Sequence, residues 1–255
     1  MSFAVSGETY DRFMGRYSRL LAPCLADFAG IGPPARAVDV GCGPGALTGE
    51  LAARLGASSV AAADPSEPLV EACRARVPGA DVRLAPAEAL PWQDASFDAA
   101  LSQLVVNFME DANAGAREMR RVVVEGGVVG ACTWEYRKGM RMLRTFWDAA
   151  VALDPDAPDE SRVMRFQGAE ELDALWRETG LRDVETAALD VAVEYEDFDD
   201  YWLPFETATG PAGSYLASLA LGARAELRDE CFRRLGEPAG PFTLTARAWA
   251  VRGEV

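Results

Sequence analysis

From residue 36 to residue 133 the chain alternates between two patterns. Short runs apolar at nearly every position, such as Val60-Ala61-Ala62-Ala63, precede stretches in which apolar residues recur every three or four positions. Unbroken apolar runs suit parallel strands buried on both faces, and the longer spacing suits helices with one buried face. The runs predict strands at 36–40, 60–63, 81–85, 97–102 and 128–133. Helices are predicted at 46–55, stopped by Gly56, after Ser66 with Pro68 in the first turn, and at 113–123. Such alternation predicts βαβ units with right-handed crossovers.

Beyond Thr133 the rhythm changes. An extra helix is predicted at 138–153 with Phe146 and Trp147, then an acidic, proline-containing loop at 154–160. A helix at 169–179 ends at Gly180, and a strand follows at 184–195. The stretch 197–235 reads as mostly helical and carries Tyr201, Trp202, Phe205 and Tyr215. In 242–251, Phe242, Leu244, Ala246, Ala248 and Ala250 fall on one face, as in a half-exposed, antiparallel last strand. Residues 6–30 are predicted helical, broken near Gly15, with Ser18 capping the second piece. The fold class is therefore α/β: a doubly wound, mostly parallel seven-stranded sheet with the last strand antiparallel, plus helical insertions.

The chemistry concentrates after the first strand, in Val38-Asp39-Val40-Gly41-Cys42-Gly43-Pro44-Gly45-Ala46. A glycine-rich turn lets backbone approach a ligand, and the helix behind it offers free N–H groups. Asp64, about 20 residues further on, is spaced to accept from ribose hydroxyls. A phosphate-binding P-loop is excluded, since no lysine lies near Gly45. Gly41, Gly43 and Ala46 also fit a dinucleotide fingerprint, so the turn alone leaves a nicotinamide cofactor and S-adenosylmethionine both open.

Composition narrows the partners. A net charge of −15 disfavours nucleic acid and anionic membranes. Five scattered cysteines without a C-x-x-C pair predict reduced thiols and no metal site. No apolar run is long enough to span a bilayer, and Glu8 and Asp11 stand where a signal peptide would be basic and then apolar. A soluble cytoplasmic protein, monomeric or homodimeric, is expected. There is no histidine, so a histidine general base is impossible.

The glycine-turn segment resembles motif I of class I S-adenosylmethionine-dependent methyltransferases, with an acid two positions before the first glycine. Ala62-Ala63-Asp64-Pro65-Ser66 resembles the ribose-holding motif. Ala87-Glu88-Ala89-Leu90-Pro91-Trp92 followed by Ser96-Phe97-Asp98, and Glu118-Met119-Arg120-Arg121-Val122 through Gly126-Gly127, resemble signatures of the UbiE-like (methyltransferase type 11) branch. Tyr10 to Ser18 and Leu244 to Gly253 look like flanks of the same branch. Three positions depart from its pattern. Pro86 replaces a common aspartate, Glu125 replaces a proline, and Val105-Val106-Asn107 stands where some relatives carry histidine.

The resemblance implies a Rossmann-like fold, S-adenosylmethionine as cofactor with S-adenosylhomocysteine as product, and methyl transfer to a small-molecule acceptor by in-line displacement. It implies one domain over 1–255: an N-terminal helical lid (1–30), the cofactor-binding core (36–134), helical substrate caps (135–167 and 197–236), and segments completing the sheet (168–196 and 241–253). Gly41, Cys42 and Gly43 are expected along the methionine portion, with Asp39 orienting its ammonium or ordering the loop. Asp64 and Pro65 are expected at the ribose, Ala87 and Glu88 at the adenine, and Ser102 and Gln103 at the sulfonium. Arg16 and Tyr17 either close over the cofactor or serve as a surface arginine and a packed tyrosine. The cap aromatics either line an apolar pocket or form core. No catalytic residue is identified. Two other readings stay open: a non-catalytic binder of the same cofactor or its product, and a Rossmann NAD(P) oxidoreductase.

Overall fold

The computed structural model describes residues 11–255; predicted helical residues 6–10 and the Glu8 position lie outside them. The strands are β1 (Ala37–Val40), β2 (Val60–Asp64), β3 (Asp81–Leu84), β4 (Phe97–Gln103), β5 (Val123–Trp134), β6 (Arg182–Tyr195) and β7 (Phe242–Glu254). Among the described residues they form a seven-stranded sheet of order β3-β2-β1-β4-β5-β7-β6. β7 runs antiparallel to both neighbours and the remaining pairs are parallel. The expected α/β fold with an antiparallel last strand is what forms.

Helices cover both faces. The main ones are α1 (Arg16–Phe28), α2 (Ala46–Leu55), α3 (Glu67–Arg76), α4 (Ala112–Val122), α5 (Arg141–Leu153), α6 (Ala169–Glu178), α7 (Phe198–Trp202), α8 (Gly210–Ser218) and α9 (Leu221–Arg234). One core joins Ala37, Ala99 and Leu101 to α1, α2 and α5. The other joins Val38, Val40, Ala100 and Val129 to α4 and α6. Every residue of β1 and β2 is buried, as their unbroken apolar runs require.

β6 and β7 outrun the rest of the sheet. β5 pairs with β7 only over Ala248–Glu254, whereas β6 stays paired back to Phe242. The resulting two-stranded ribbon projects past the carboxyl end of β5. It cannot bury its apolar residues alone, so α5 and the helices after β6 pack on it. Phe146 stacks on Phe205 (centroids 4.6 Å apart) and meets Trp147 edge-on at 5.2 Å, while Trp202 stacks on Phe198. Phe146, Trp147, Tyr201, Trp202 and Phe205 are thus core, and Tyr215 packs partly buried against them.

Four local expectations are corrected. Ser18 does not cap a helix: it lies inside α1, and its hydroxyl donates to the Met14 carbonyl one turn back. The predicted break at Gly15 is instead a change from a π turn, Asp11–Gly15, to α-helix. Ser66 does sit at the N-cap of α3, but its side chain makes no capping bond. The Asp64 carboxylate takes the Ser66 N–H instead. β5 also begins five residues early, running through the Gly126-Gly127 pair, where Gly126 adopts φ +78°.

Candidate functional site

The site forms where β1, β2, β4 and β5 end. After β1 the chain turns through three glycines in the left-handed region, with φ +77° at Gly41, +51° at Gly43 and +89° at Gly45. L-residues with side chains rarely adopt this conformation. At Gly41 space forbids a side chain as well: a Cβ would lie 2.4 Å from Val105. A Cβ at Gly43 would meet no protein atom within 4 Å, so that backbone faces open space. The Gly41 and Cys42 N–H groups donate to the Ala63 carbonyl, binding the turn to β2.

Two acids brace the turn. One Asp64 oxygen accepts from Gly43 N–H at 2.9 Å, and the other accepts from Ser66 N–H at 2.9 Å. Burial raises the Asp64 pKa, and those two N–H donors oppose the shift. Asp39 is deeper, 1% exposed, with Oδ2 accepting from the Thr48 hydroxyl at 2.7 Å. Its Oδ1 has no partner among the described residues. Burial pushes the Asp39 carboxyl up to about 7, opposed by Thr48. The Cys73 thiol donates to the Thr48 hydroxyl at 3.5 Å.

Ser102, fully buried, donates to the Val40 carbonyl, tying β4 to β1. Gln103 donates its amide to the Ser18 carbonyl at 3.0 Å, joining β4 to α1, and its Oε1 has no partner among the described residues. Ala87 is buried. Pro65 is exposed at the head of α3. Glu88 accepts from the N–H groups of Glu110 and Asp111, so it also serves the start of α4. Asp39, Gly41, Cys42, Gly43, Asp64, Pro65, Ser102 and Gln103 therefore line the carboxyl ends of neighbouring strands, with Ala87 and Glu88 in the loop after β3.

Arg16 and Tyr17 are directed elsewhere. The Arg16 guanidinium pairs with both Asp200 oxygens at 3.0 Å, donates to the Glu194 carbonyl, and lies 4.4 Å over the Tyr195 ring. Tyr17 is fully buried, its hydroxyl 2.8 Å from that of Tyr195. Both residues bind the start of α1 to the β6–β7 ribbon.

Leu104, next in the chain to the Val105 that packs on Gly41, borders an apolar cavity of about 50 Å³. Phe13, Met14, Leu104, Phe108, Trp134 and Leu143 supply most of its surface, and Glu160, Tyr136 and Thr209 its polar part. Five buried side-chain atoms lack partners among the described residues: Asp39 Oδ1, Gln103 Oε1, Asn107 Oδ1, Trp134 Nε1 and Gln167 Oε1. Most buried polar groups are paired, so these five stand out. Glu160, Trp134, Asn107 and Gln167 escaped the sequence reading. Glu160 sits in an acidic loop where nothing local signals burial.

Residues 38–131 match a methyltransferase domain family. An uncharacterized protein of Mycobacterium tuberculosis is 35% identical over 143 residues, 54% of this chain and 52% of that protein. A malonyl-[acyl-carrier protein] O-methyltransferase of Pseudescherichia vulneris is 32% identical over 132 residues, 52% of this chain and 51% of the relative. The chain thus spans about half the length of these relatives. Among solved structures, a SAM-dependent methyltransferase of Thermotoga maritima shares the fold at TM-score 0.52 and 19% identity, over 97% of this chain and 98% of the other. An Anaeromyxobacter dehalogenans structure described as a candidate type II methyltransferase shares it at TM-score 0.64 and 23% identity, over 92% of this chain and 95% of the other.

Proposed function

We propose that this chain, built around a class I S-adenosylmethionine-dependent methyltransferase domain, transfers a methyl group from that cofactor to a small-molecule acceptor. The observation that carries this reading is the unpaired, buried Asp39 Oδ1 beneath a turn of three left-handed glycines. An ammonium is the donor such an oxygen lacks, and the open backbone at Gly43 suits close approach of the same molecule. Each Asp64 oxygen already accepts one N–H. A carboxylate oxygen has a second lone pair, which leaves room for ribose hydroxyls. The residues present therefore fit the cofactor.

When bound, the cofactor supplies an electrophilic methyl group on a sulfonium, and the protein's work is to position the acceptor and exclude water. In this assignment Gly41, Cys42 and Gly43 line the methionine portion, with Asp39 at the ammonium. Asp64 and Pro65 hold the ribose, and Ala87 the adenine. Glu88 shapes the adenine wall through α4. Ser102 and Gln103 fix the end of β4 next to the reacting centre. Arg16 and Tyr17 are assigned to holding α1 on the ribbon, because their polar groups are already engaged there. The apolar cavity is the acceptor site.

The relative named for malonyl-[acyl-carrier protein] suggests a second acceptor class, a carboxylate. The cavity disfavours it: among the described lining residues there is an acid, Glu160, and no lysine or arginine.

Parallel calorimetric titration with S-adenosylmethionine, S-adenosylhomocysteine and NAD tests the reading. Micromolar binding of the first two, weakened about 100-fold in Asp64→Ala, is expected, on the scale of lost hydrogen bonds to a charged group. Binding of NAD alone would overturn it in favour of an oxidoreductase.

A further inference from the structure

Two polar groups stand out in the cavity wall. Trp134 is 1% exposed, and its indole N–H has no partner among the described residues. Glu160 is 4% exposed, and one of its oxygens accepts from Trp147 Nε1 at 2.9 Å. A second lone pair on that oxygen and the whole of its other oxygen remain as acceptor capacity. Burial raises the Glu160 carboxyl to about 7; the Trp147 N–H and Arg144 oppose the rise, and Asp159 adds to it. Arg144 pairs with Asp159 and Asp148 and acts on Glu160 only through space.

Beside the Tyr136 and Thr209 hydroxyls, which meet Asn107 and Thr207, the wall thus offers one N–H donor and one carboxyl acceptor in mostly apolar surroundings. Donor and acceptor inventories separate the candidate acceptors. A carboxylate only accepts, and it would meet Glu160 as a like charge. An ammonium only donates, leaving the Trp134 N–H unpaired. A hydroxyl does both: its lone pair takes the indole N–H while its O–H is donated to the carboxylate. Satisfying both buried groups at once favours it.

We propose that the cavity receives the hydroxyl of an apolar alcohol or phenol between Trp134 and Glu160, and that Glu160 accepts its proton during methyl transfer. This rests on the methyltransferase reading above. The O–H proton passes to the Glu160 carboxylate, and an oxygen lone pair forms the new O–CH3 bond. The electron pair of the breaking S–CH3 bond stays on sulfur, which leaves as a neutral thioether. The cavity, at about 50 Å³, is smaller than the roughly 150 Å³ that takes benzene in an engineered core. An aromatic acceptor therefore enters only as the wall widens.

The test titrates p-cresol, toluene, benzoate and benzylamine into the full chain and into Glu160→Gln and Trp134→Phe, with and without S-adenosylhomocysteine. Methylation of p-cresol is then timed. The wild type is expected to bind p-cresol at least about ten-fold more tightly than the other three probes. Each variant should lose roughly ten-fold in p-cresol affinity while keeping its affinity for toluene and for S-adenosylhomocysteine, the scale of one buried hydrogen bond. Glu160→Gln should also lower kcat for p-cresol by about 100-fold, the scale of a lost general base. Equal binding of p-cresol and toluene, or an unchanged kcat in Glu160→Gln, overturns the proposal. A wild type that ignores S-adenosylhomocysteine overturns the methyltransferase reading and the proton transfer with it, and the p-cresol series still decides the hydroxyl pocket. If Glu160→Gln does not fold, Trp134→Phe decides the pocket.

Discussion

The glycine turn and the aromatic ribbon lie at the same end of one sheet, yet they are held by different forces. Around Gly41–Gly45, backbone bonds and two buried carboxyls set the shape, and buried oxygens are left unpaired. Around Phe146, Trp202 and Phe205, stacked and edge-on rings do the holding. A hydrogen-bonded turn with vacant acceptors can register a polar ligand atom by atom. A ring cluster buries area, and area is indifferent to what lies across the cavity. In the proposed assignment the first region sets cofactor recognition, and the second sets stability and the shape of the acceptor space.

Substitutions should separate the two. The largest effect is expected for Phe146→Ala, about 3–5 kcal/mol of stability by urea unfolding, because a fully buried ring is removed. Cofactor affinity, measured where the variant is folded, should stay within about two-fold; a larger change would break the comparison. Next comes pH. Asp39 rises from 3.8 to about 7 on burial, so its folded form is protonated where its unfolded form is not. That contribution is fully present at acid pH and is lost as pH climbs from about 4 through about 7, roughly 4 kcal/mol in all from about three pKa units at 1.36 kcal/mol each. The loss of unfolding free energy from pH 4 to 8 should be markedly smaller in Asp39→Asn.

Gly41→Ala should cost about 2 kcal/mol through its left-handed φ and its contact with Val105. It should also weaken cofactor binding, in contrast to Phe146→Ala. The smallest effect is expected for Arg16→Ala. Its ion pair with Asp200 is partly exposed, so at most about 1 kcal/mol should be lost, with cofactor affinity unchanged. A ten-fold loss in that affinity would return Arg16 to the cofactor site.

What the sequence revealed follows the same division. Gly41, Gly43, Gly45, Asp39 and Asp64 were readable because their roles are local: a turn needing positive φ, and an acid at a set distance behind it. The Arg16–Asp200 pair spans 184 residues and the Tyr17–Tyr195 pair 178, separations at which no pattern along the chain carries information. Ser18 misled because a serine hydroxyl satisfies a helix start or a carbonyl one turn back equally well. The early start of β5 was hidden by Gly126-Gly127, a pair that reads as a turn. Glu160 looked like one more acid in a solvated loop, and only tertiary packing makes it a buried one.

Leu104 follows β4 with φ +66°, its N–H donating to the Cys132 carbonyl and its side chain in the cavity wall. A leucine in that backbone conformation is strained by about 1 kcal/mol or more. Glycine would relieve the strain and also delete part of the wall. Truncating a buried leucine costs about 2–5 kcal/mol, more than the strain relieved, so selection for heat resistance alone would keep leucine here. A library screened for melting temperature should return leucine at this position, and a smaller residue only where another substitution refills the wall.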